Sequence, residues 1–331
     1  MGLASYVFPT AEHSRFAHSL GVYSTARSAY QHLMLRSADL DLPLTVRFDR
    51  DTEKEFCIAS LCHDLGHTPF SHVLENTLLP EGFRSHEECT RALLSTESEV
   101  GKAIKSISDL EAVRLFLSQE HINKALNVLV SGSFDADRAD YILRDSYMCG
   151  VNYGQYDLNW LFHSMTIETN LNEQPILVLD GRRGLDSLRQ FLSARRYLYR
   201  QVYFHSAVRG AQILLKAIFD RIQDLPKNAS TKALAPHCLK GLATGQRLSI
   251  GEFIAATDIE VLYMVRNFAL RHKDATLRYL CRLFLDRQLP KAALDSAKSL
   301  HPLTQRGGFK IELQQSIICD DNPGLSVGRQ G

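Results

Sequence analysis

The dipeptide His63-Asp64, set in Cys62-His63-Asp64-Leu65-Gly66-His67-Thr68-Pro69-Phe70-Ser71-His72, constrains this chain more than any other feature. Adjacent His and Asp offer one cation a neutral nitrogen and a hard carboxylate oxygen with no loop to close between them. Mixed N/O ligation of that kind suits Mn, Fe, Ni or Mg better than a structural zinc site. The dipeptide by itself is weak, since it arises by chance in chains of this size. Its company strengthens it. His67 stands one helical turn after His63 and would share its face of a helix. Arg15-Phe16-Ala17-His18-Ser19-Leu20-Gly21 upstream and Asp135-Ala136-Asp137-Arg138-Ala139-Asp140-Tyr141 downstream can complete a His…His-Asp…Asp set. The residues alone leave Asp135, Asp137 and Asp140 as rivals for the last place. They also leave open that His18 and His63 are ordinary polar residues on amphipathic helices.

The surrounding text is overwhelmingly helical. Arg15 to Arg36 carries apolar residues at helical spacing, with a polar break at residues 37–50. Thr52-Glu53-Lys54-Glu55, Ser85–Glu88 and Ser108–Glu111 have capping-box form. The helix starting near Thr52 then delivers His63 and Asp64 at its C-terminal end, where Gly66 can turn the chain. Asp137–Met148 reads as a helix stopped by Gly150, and Asp135 as its N-cap. Met165–Thr169 and Pro175–Asp180 flank turn-rich residues 170–174, the pattern of a small hairpin. Long helices run from Leu185 to about Gln223. Residues 226–246 read as a polar linker, two or three shorter helices follow, and a loosely ordered tail is expected after Pro302. The fold expected is mainly α, a helical bundle with a small β-hairpin and additional C-terminal helices, divided into residues 1–225 and a smaller region at 226–331.

Composition excludes some classes. A chain of 331 residues can bury a substantial core, and a formal net charge of +1 gives no global pull toward nucleic acid or membrane. The seven cysteines show no paired CxxC spacing and several lie in apolar helical text, as buried free thiols do. No basic-then-apolar leader and no run of membrane-spanning length is visible. The expectation is a soluble, cytoplasmic protein with no membrane partner.

These motifs, in this order, resemble the HD-domain phosphohydrolases, specifically the deoxynucleoside triphosphate triphosphohydrolase (dGTPase-like) branch. Phe8-Pro9, Arg15 and His18 leading into Ser19-Leu20-Gly21-Val22 look like that family's first metal block, and His63 through His72 like its second. Ser85-His86-Glu87 resembles its His-Glu element, residues 135–145 its final Asp block, and Arg195, Tyr199, Tyr203 and His205 a later helix lining the nucleotide pocket. The likeness runs from about Met1 to about Asp220. It implies His18, His63, Asp64 and Asp137 as ligands of a divalent metal, the last being the second Asp of Asp-x-Asp-Arg. Family members usually carry Gln-Leu-Gly just before the Tyr-Val-Phe-Pro stretch. Here Met1-Gly2 stands where Leu-Gly would be, so the expectation is a start assigned too late or a shortened member.

With the ligands assigned, His67 and His72 become candidates for proton transfer, because an imidazole can give and take a proton near neutrality. His72 is the first choice for the acid that protonates the leaving sugar oxygen. Glu75 and the pair His86-Glu87 could orient them, with an exposed capped helix as the plainer alternative for that pair. A triphosphate needs fixed cations, and Arg15, Arg138, Arg144, Arg195 and Arg196 stand in the right blocks. The resemblance implies Arg15, Arg138 and Arg195 as phosphate contacts, Tyr141 and Asp145 as contacts to phosphate and the sugar 3′-hydroxyl, and Tyr203 as the residue excluding a 2′-hydroxyl. Tyr199 is a candidate for the base. The activity implied is metal-dependent hydrolysis of a deoxynucleoside triphosphate to deoxynucleoside and inorganic triphosphate, manganese being among the metals that fit. A homo-oligomer is a further expectation. Seven arginines between Arg182 and Arg209, interleaved with Tyr and Phe, add a weak single-stranded nucleic acid activity as an auxiliary one. Rival readings are another HD phosphohydrolase, a nucleotidase or phosphodiesterase, and a nucleotide-sensing or nucleic-acid-binding HD protein of low turnover.

Overall fold

A computed structural model of the chain describes residues 2–37, 46, 48–169, 175–226 and 229–290. After a 3-10 turn at Gly2–Tyr6 the helices run α1 (Arg15–Ser37), α2 (Arg50–Cys62), α3 (Glu75–Leu78), α4 (His86–Leu93), α5 (Glu99–Lys105), α6 (Leu110–Leu117), α7 (Lys124–Val130), α8 (Ala136–Cys149) and α9 (Leu158–His163). A hairpin of β1 (Met165–Thr169) and β2 (Pro175–Leu179) follows, antiparallel, with Met165 opposite Leu179 and Thr169 opposite Pro175. Then come α10 (Leu185–Leu198), α11 (Ser206–Asp224), α12 (Ala229–Leu234), α13 (Ile250–Ala255), α14 (Asp258–Arg271) and α15 (Ala275–Leu285). The mainly α class with one small hairpin is as the sequence predicts. Among the described residues no helix is long and apolar enough to cross a membrane.

Local chemistry explains the element ends. The carboxylate of Asp135 accepts from the amide of Arg138, which starts α8, and Gly150 stops it in the left-handed conformation (φ 67°) that glycine adopts without Cβ strain. Two expected caps move. α2 starts at Arg50 because Asp49, not Thr52, caps it by accepting from the Thr52 amide. α6 is capped by Asp109 rather than Ser108. Ser85 does cap α4, accepting from the Glu88 amide. The long helices expected from Leu185 to about Gln223 are α10 and α11, and a π-helical segment at Tyr199–Tyr203, a distortion often found at functional sites, lies between them. Within the stretch expected as a linker, residues 229–246 hold α12 and two 3-10 turns whose Cys238, Leu239 and Leu242 are buried. Residues 170–174 and everything after Pro290 lie outside the described residues, as do Cys319 and the tail; the other six cysteines are buried free thiols.

Two apolar clusters carry the packing within one compact unit. The first gathers α1, α2 and α6–α10 around Tyr30, Phe56, Phe116, Phe162 and Phe191. The second gathers α11 and α13–α15 around Phe219, Phe268 and Phe284, and takes in Phe70, Leu74 and Leu78 from the segment after His67. The boundary between them falls within α11, after Val208.

Candidate metal centre

Three helix ends converge. α1 brings Arg15 and His18 in its first turns, α2 ends just before His63 and Asp64, and the first turn of α8 presents Asp137. His18 Nε2 lies 3.0 Å from Asp137 Oδ1, and His63 Nε2 lies 3.2 Å from Asp64 Oδ1 and 3.6 Å from Asp137 Oδ1. Ligand atoms of His18, His63 and Asp64 all fall within 4.8 Å of one another. The opposite face of each ring is anchored: His18 Nδ1 pairs with Asp140 Oδ2 and His63 Nδ1 with the Ser60 carbonyl, both at 2.8 Å. Both Nε2 atoms therefore face inward as lone-pair donors, the orientation a metal requires of histidine. His63 Nε2 is buried without a hydrogen-bond partner, which a cation would satisfy. Sequence reasoning took Asp140 as a rival ligand; it is the orienter of His18, and its spacing of three from Asp137 was the signal for a shared helix face.

Close approach builds the rest. Gly21 lets α8 pack on α1 where a Cβ would collide with the Asp140 carboxylate and the Arg144 guanidinium. Gly66 does the same against the His86 carbonyl and the Thr90 amide of α4, and its own N–H donates to Thr90 Oγ1 at 2.9 Å. Gly66 is thus a packing glycine as well as a turn.

The electrostatics call for positive charge. Burial opposes the charged form of His18, yet hydrogen bonds to Asp137 and Asp140 and the nearby Asp64 raise it to about 9. Burial likewise opposes ionised Asp137 and Asp64, but the histidines around them, with Arg15 beside Asp64, hold both carboxyls far below the usual range. Two carboxylates and two imidazoles match a divalent cation in charge and donor type. The residues fit the ion, and His18, His63, Asp64 and Asp137 are those that could hold it.

A second histidine group adjoins the first. His67 Nε2 sits 3.3 Å from Asp64 Oδ1 and its ring stacks on His86 at 3.8 Å between centroids. Glu75 joins the set, one oxygen 2.7 Å from His86 Nδ1 and the other 2.8 Å from His72 Nδ1. Burial works against its charge, but those bonds keep its carboxyl down at about 2. His72 is 71% exposed and His67 only 7%, so His72 is the one open to an incoming molecule. Burial chiefly lowers His67. Glu87 reaches His86 Nε2 at 3.3 Å and is otherwise half exposed.

The sequence-predicted binding residues divide. Tyr141, Tyr199 and Tyr203 gather with Arg195, whose guanidinium lies 5.5 Å from the Tyr199 ring centroid. Tyr203 donates to Asp145 Oδ2 at 2.6 Å, and His13 Nε2 holds the other oxygen at 2.8 Å. His13 was not anticipated; its place two residues before Arg15 carries no local pattern. Arg15 stays at the centre, donating to Asp64 Oδ2 at 2.5 Å and to Ser71 Oγ. Arg138 and Arg144 are engaged elsewhere. Arg138 is paired with Asp135 and the Gly132 carbonyl, and Arg144 is bound to Asp140 through two 2.8 Å bonds. Between His67 and His72 the backbone is strained: Phe70 and Ser71 take φ of 54° and 55° in succession. Such a residue costs of order 1–3 kcal/mol and persists only where its surroundings hold it.

Comparison with known proteins agrees with this geometry. The family model described as HD domain matches residues 15–144, the span that carries all four candidate ligands. The chain is 31% identical over 292 residues to the uncharacterized protein YwfO of Bacillus subtilis, covering 87% of this chain and 63% of that one. It is 24% identical over 255 residues to the deoxynucleoside triphosphate triphosphohydrolase SAMHD1 of Gallus gallus, covering 67% of this chain and 40% of that one. The chain thus spans less than two thirds of the length of these relatives. Among solved structures, a phosphohydrolase from Bacteroides thetaiotaomicron superposes with a TM-score of 0.72 at 26% identity, over 87% of this chain and 68% of that one. With the His/Asp cluster built on the helices that the family model matches, the chain belongs to the HD-domain phosphohydrolases.

Proposed function

We propose that this protein hydrolyses deoxynucleoside triphosphates to deoxynucleoside and inorganic triphosphate with a divalent metal held by His18, His63, Asp64 and Asp137. The observation that carries the reading is the adjacency of that cluster to an exposed, carboxylate-oriented histidine on one side, His72 with Glu75, together with the grouping of Arg195, Tyr141, Tyr199, Tyr203 and Asp145. The metal, when bound, supplies Lewis acidity and lowers the pKa of a coordinated water. Water oxygen bonds to the α-phosphorus as the bond to the sugar oxygen breaks. With Nδ1–H held by Glu75, the doubly protonated ring of His72 hands its Nε2 proton to that departing oxygen and is left as the neutral imidazole. His67 and His86, stacked, keep the proton donor's neighbourhood ordered, with Glu87 on His86. Arg15 and Arg195 supply charge to the polyphosphate. Tyr203, tied to Asp145, is the candidate wall at the sugar. We read residues 1–225 as the phosphohydrolase body and residues 226–331 as a smaller C-terminal region, of which residues 229–290 are described and mainly helical. The exposed arginines Arg182, Arg196 and Arg200 offer a surface for auxiliary single-stranded nucleic acid binding, and homo-oligomer formation is proposed with it.

A second reading has a specific observation behind it. Arg138 and Arg144 are occupied by Asp135 and Asp140, so fewer cations face a triphosphate than the sequence predicts. That favours a smaller phosphate ester and hence a nucleotidase or phosphodiesterase. Product analysis in heavy-oxygen water decides. Label in inorganic triphosphate, with unlabelled nucleoside, supports the triphosphohydrolase. Orthophosphate or pyrophosphate as the first product overturns it.

A further inference from the structure

We propose that Asp258, in the first turn of α14, is a positioning residue that holds the strained Phe70-Ser71 step and so fixes His67 and His72 on either side of it; the proposal rests on the assignment of those histidines to the hydrolytic site. Two successive non-glycine residues with positive φ do not persist unaided. Part of the hold is local to the metal region. Thr68 Oγ1 donates to the Ser71 carbonyl at 2.7 Å, and Arg15 donates to Ser71 Oγ. The rest comes from the other half of the molecule. The Phe70 ring is buried in the second apolar cluster, and the Phe70 N–H donates to Asp258 Oδ1 at 2.8 Å, across 188 residues of sequence.

The geometry at α14 suits a fixed anchor. Thr257 and Glu260 form a capping box, so the turn that carries Asp258 is itself held. Asp258 is otherwise exposed, so burial does not account for its reach to the loop. A carboxylate accepting a backbone N–H makes a charge-assisted bond, stronger than a neutral one. It sets the Phe70 amide, and through it the direction in which the chain leaves toward His72.

The test compares Asp258→Ala, which removes the acceptor, with Asp258→Asn, which keeps an oxygen there. Hydrogen exchange of the full chain by mass spectrometry should show residues 66–73 exchanging about ten-fold faster in the alanine variant, with α2 and α8 unchanged. Metal content should stay at the wild-type level. On a deoxynucleoside triphosphate, kcat should fall roughly ten-fold with KM little altered, as expected when a proton donor is misplaced and binding is not. The asparagine variant should restore most of both effects. Unchanged exchange at 66–73, or faster exchange spread over the whole chain, overturns the proposal. So does failure of asparagine to rescue. Should the wild-type protein hydrolyse no deoxynucleotide, the proposed reaction fails, while the exchange and rescue arms still decide whether Asp258 holds the loop.

Discussion

The region around α1, α2 and α8 buries charge, whereas the region around α11, α14 and α15 buries almost none. In the first, Asp135, Asp140 and Asp145 are each less than a tenth exposed, and the four candidate ligands sit beside them. In the second, the buried side chains are Leu214, Ile218, Phe219, Val261, Phe268, Cys281 and Phe284, with Thr231 and His272 as polar exceptions that bond each other at 2.9 Å. Burying a carboxylate is expensive unless it is paired and hydrogen-bonded. An apolar core needs no such compensation. The first region thus holds its carboxylates through caps, ion pairs and the candidate ligand cluster, and the second supplies apolar packing. The bond from the Phe70 N–H to Asp258 ties the loop after His67 to the second region.

The comparison breaks most visibly at the ligands. His63→Ala and Asp137→Ala should each lose bound metal and lower kcat by 10²- to 10³-fold or more, with helical content retained. Full metal content in both variants, measured by elemental analysis, would remove the ligand assignment. Chelation of the wild-type protein should reproduce the loss and re-addition of metal should reverse it.

The mirror-image experiment lies in the other region. Phe268 is fully buried, and Phe268→Ala should cost about 3–5 kcal/mol of stability through lost burial and a residual cavity. Metal bound per folded chain should not change. Loss of metal at temperatures where the variant is still folded would show that the two regions are not separable in this way.

A smaller effect is expected at the edge of the first region. Tyr203→Phe removes the donor to buried Asp145 and should lower kcat/KM for a deoxynucleotide roughly ten-fold, the equivalent of about 1–2 kcal/mol. Tyr203→Leu should in addition narrow the ratio between deoxy- and ribonucleotides. A preserved ratio in a well-folded variant places the sugar gate elsewhere.

The smallest effect is in pH dependence. Burial, reinforced by Asp109, Asp49 and Asp51, pushes Glu55 up to about 7 from 4.5. The folded state then binds this proton more tightly than the unfolded chain. Glu55 accordingly contributes stability that is full below about pH 4.5 and is lost as pH rises toward 7. Glu55→Gln should therefore melt higher than wild type above neutrality, and the gap should close on acidification. A gap that is constant across that window would remove Glu55 as its source. Partial exposure keeps the effect modest.

Much of this was legible in the residues. The extent of α8, its Asp135 cap and its Gly150 stop follow from short-range chemistry, as do the two strands on either side of residues 170–174. The caps of α2 and α6 were misplaced because Asp49 and Asp109 compete with Thr52 and Ser108, all being short acceptors within a few residues. Residues 229–246 read as a linker because their polar residues mask the few apolar ones that pack. Arg138 and Arg144 looked like free cations although Asp135 and Asp140 stand three and four residues before them, the spacing at which helix side chains pair.

The sequence by itself determined the candidate ligand types, the helices that carry them and the mainly α class, because these depend on side-chain chemistry and on spacings of a few residues. Tertiary structure alone decided which nitrogen of His18 faces the centre, what Arg15 pairs with and what holds the loop between His67 and His72. Those outcomes rest on partners as far apart as Arg15 and Asp64, His18 and Asp140, or Phe70 and Asp258. No local propensity encodes such pairs. They exist because apolar packing has already brought distant helix ends within a hydrogen bond of each other.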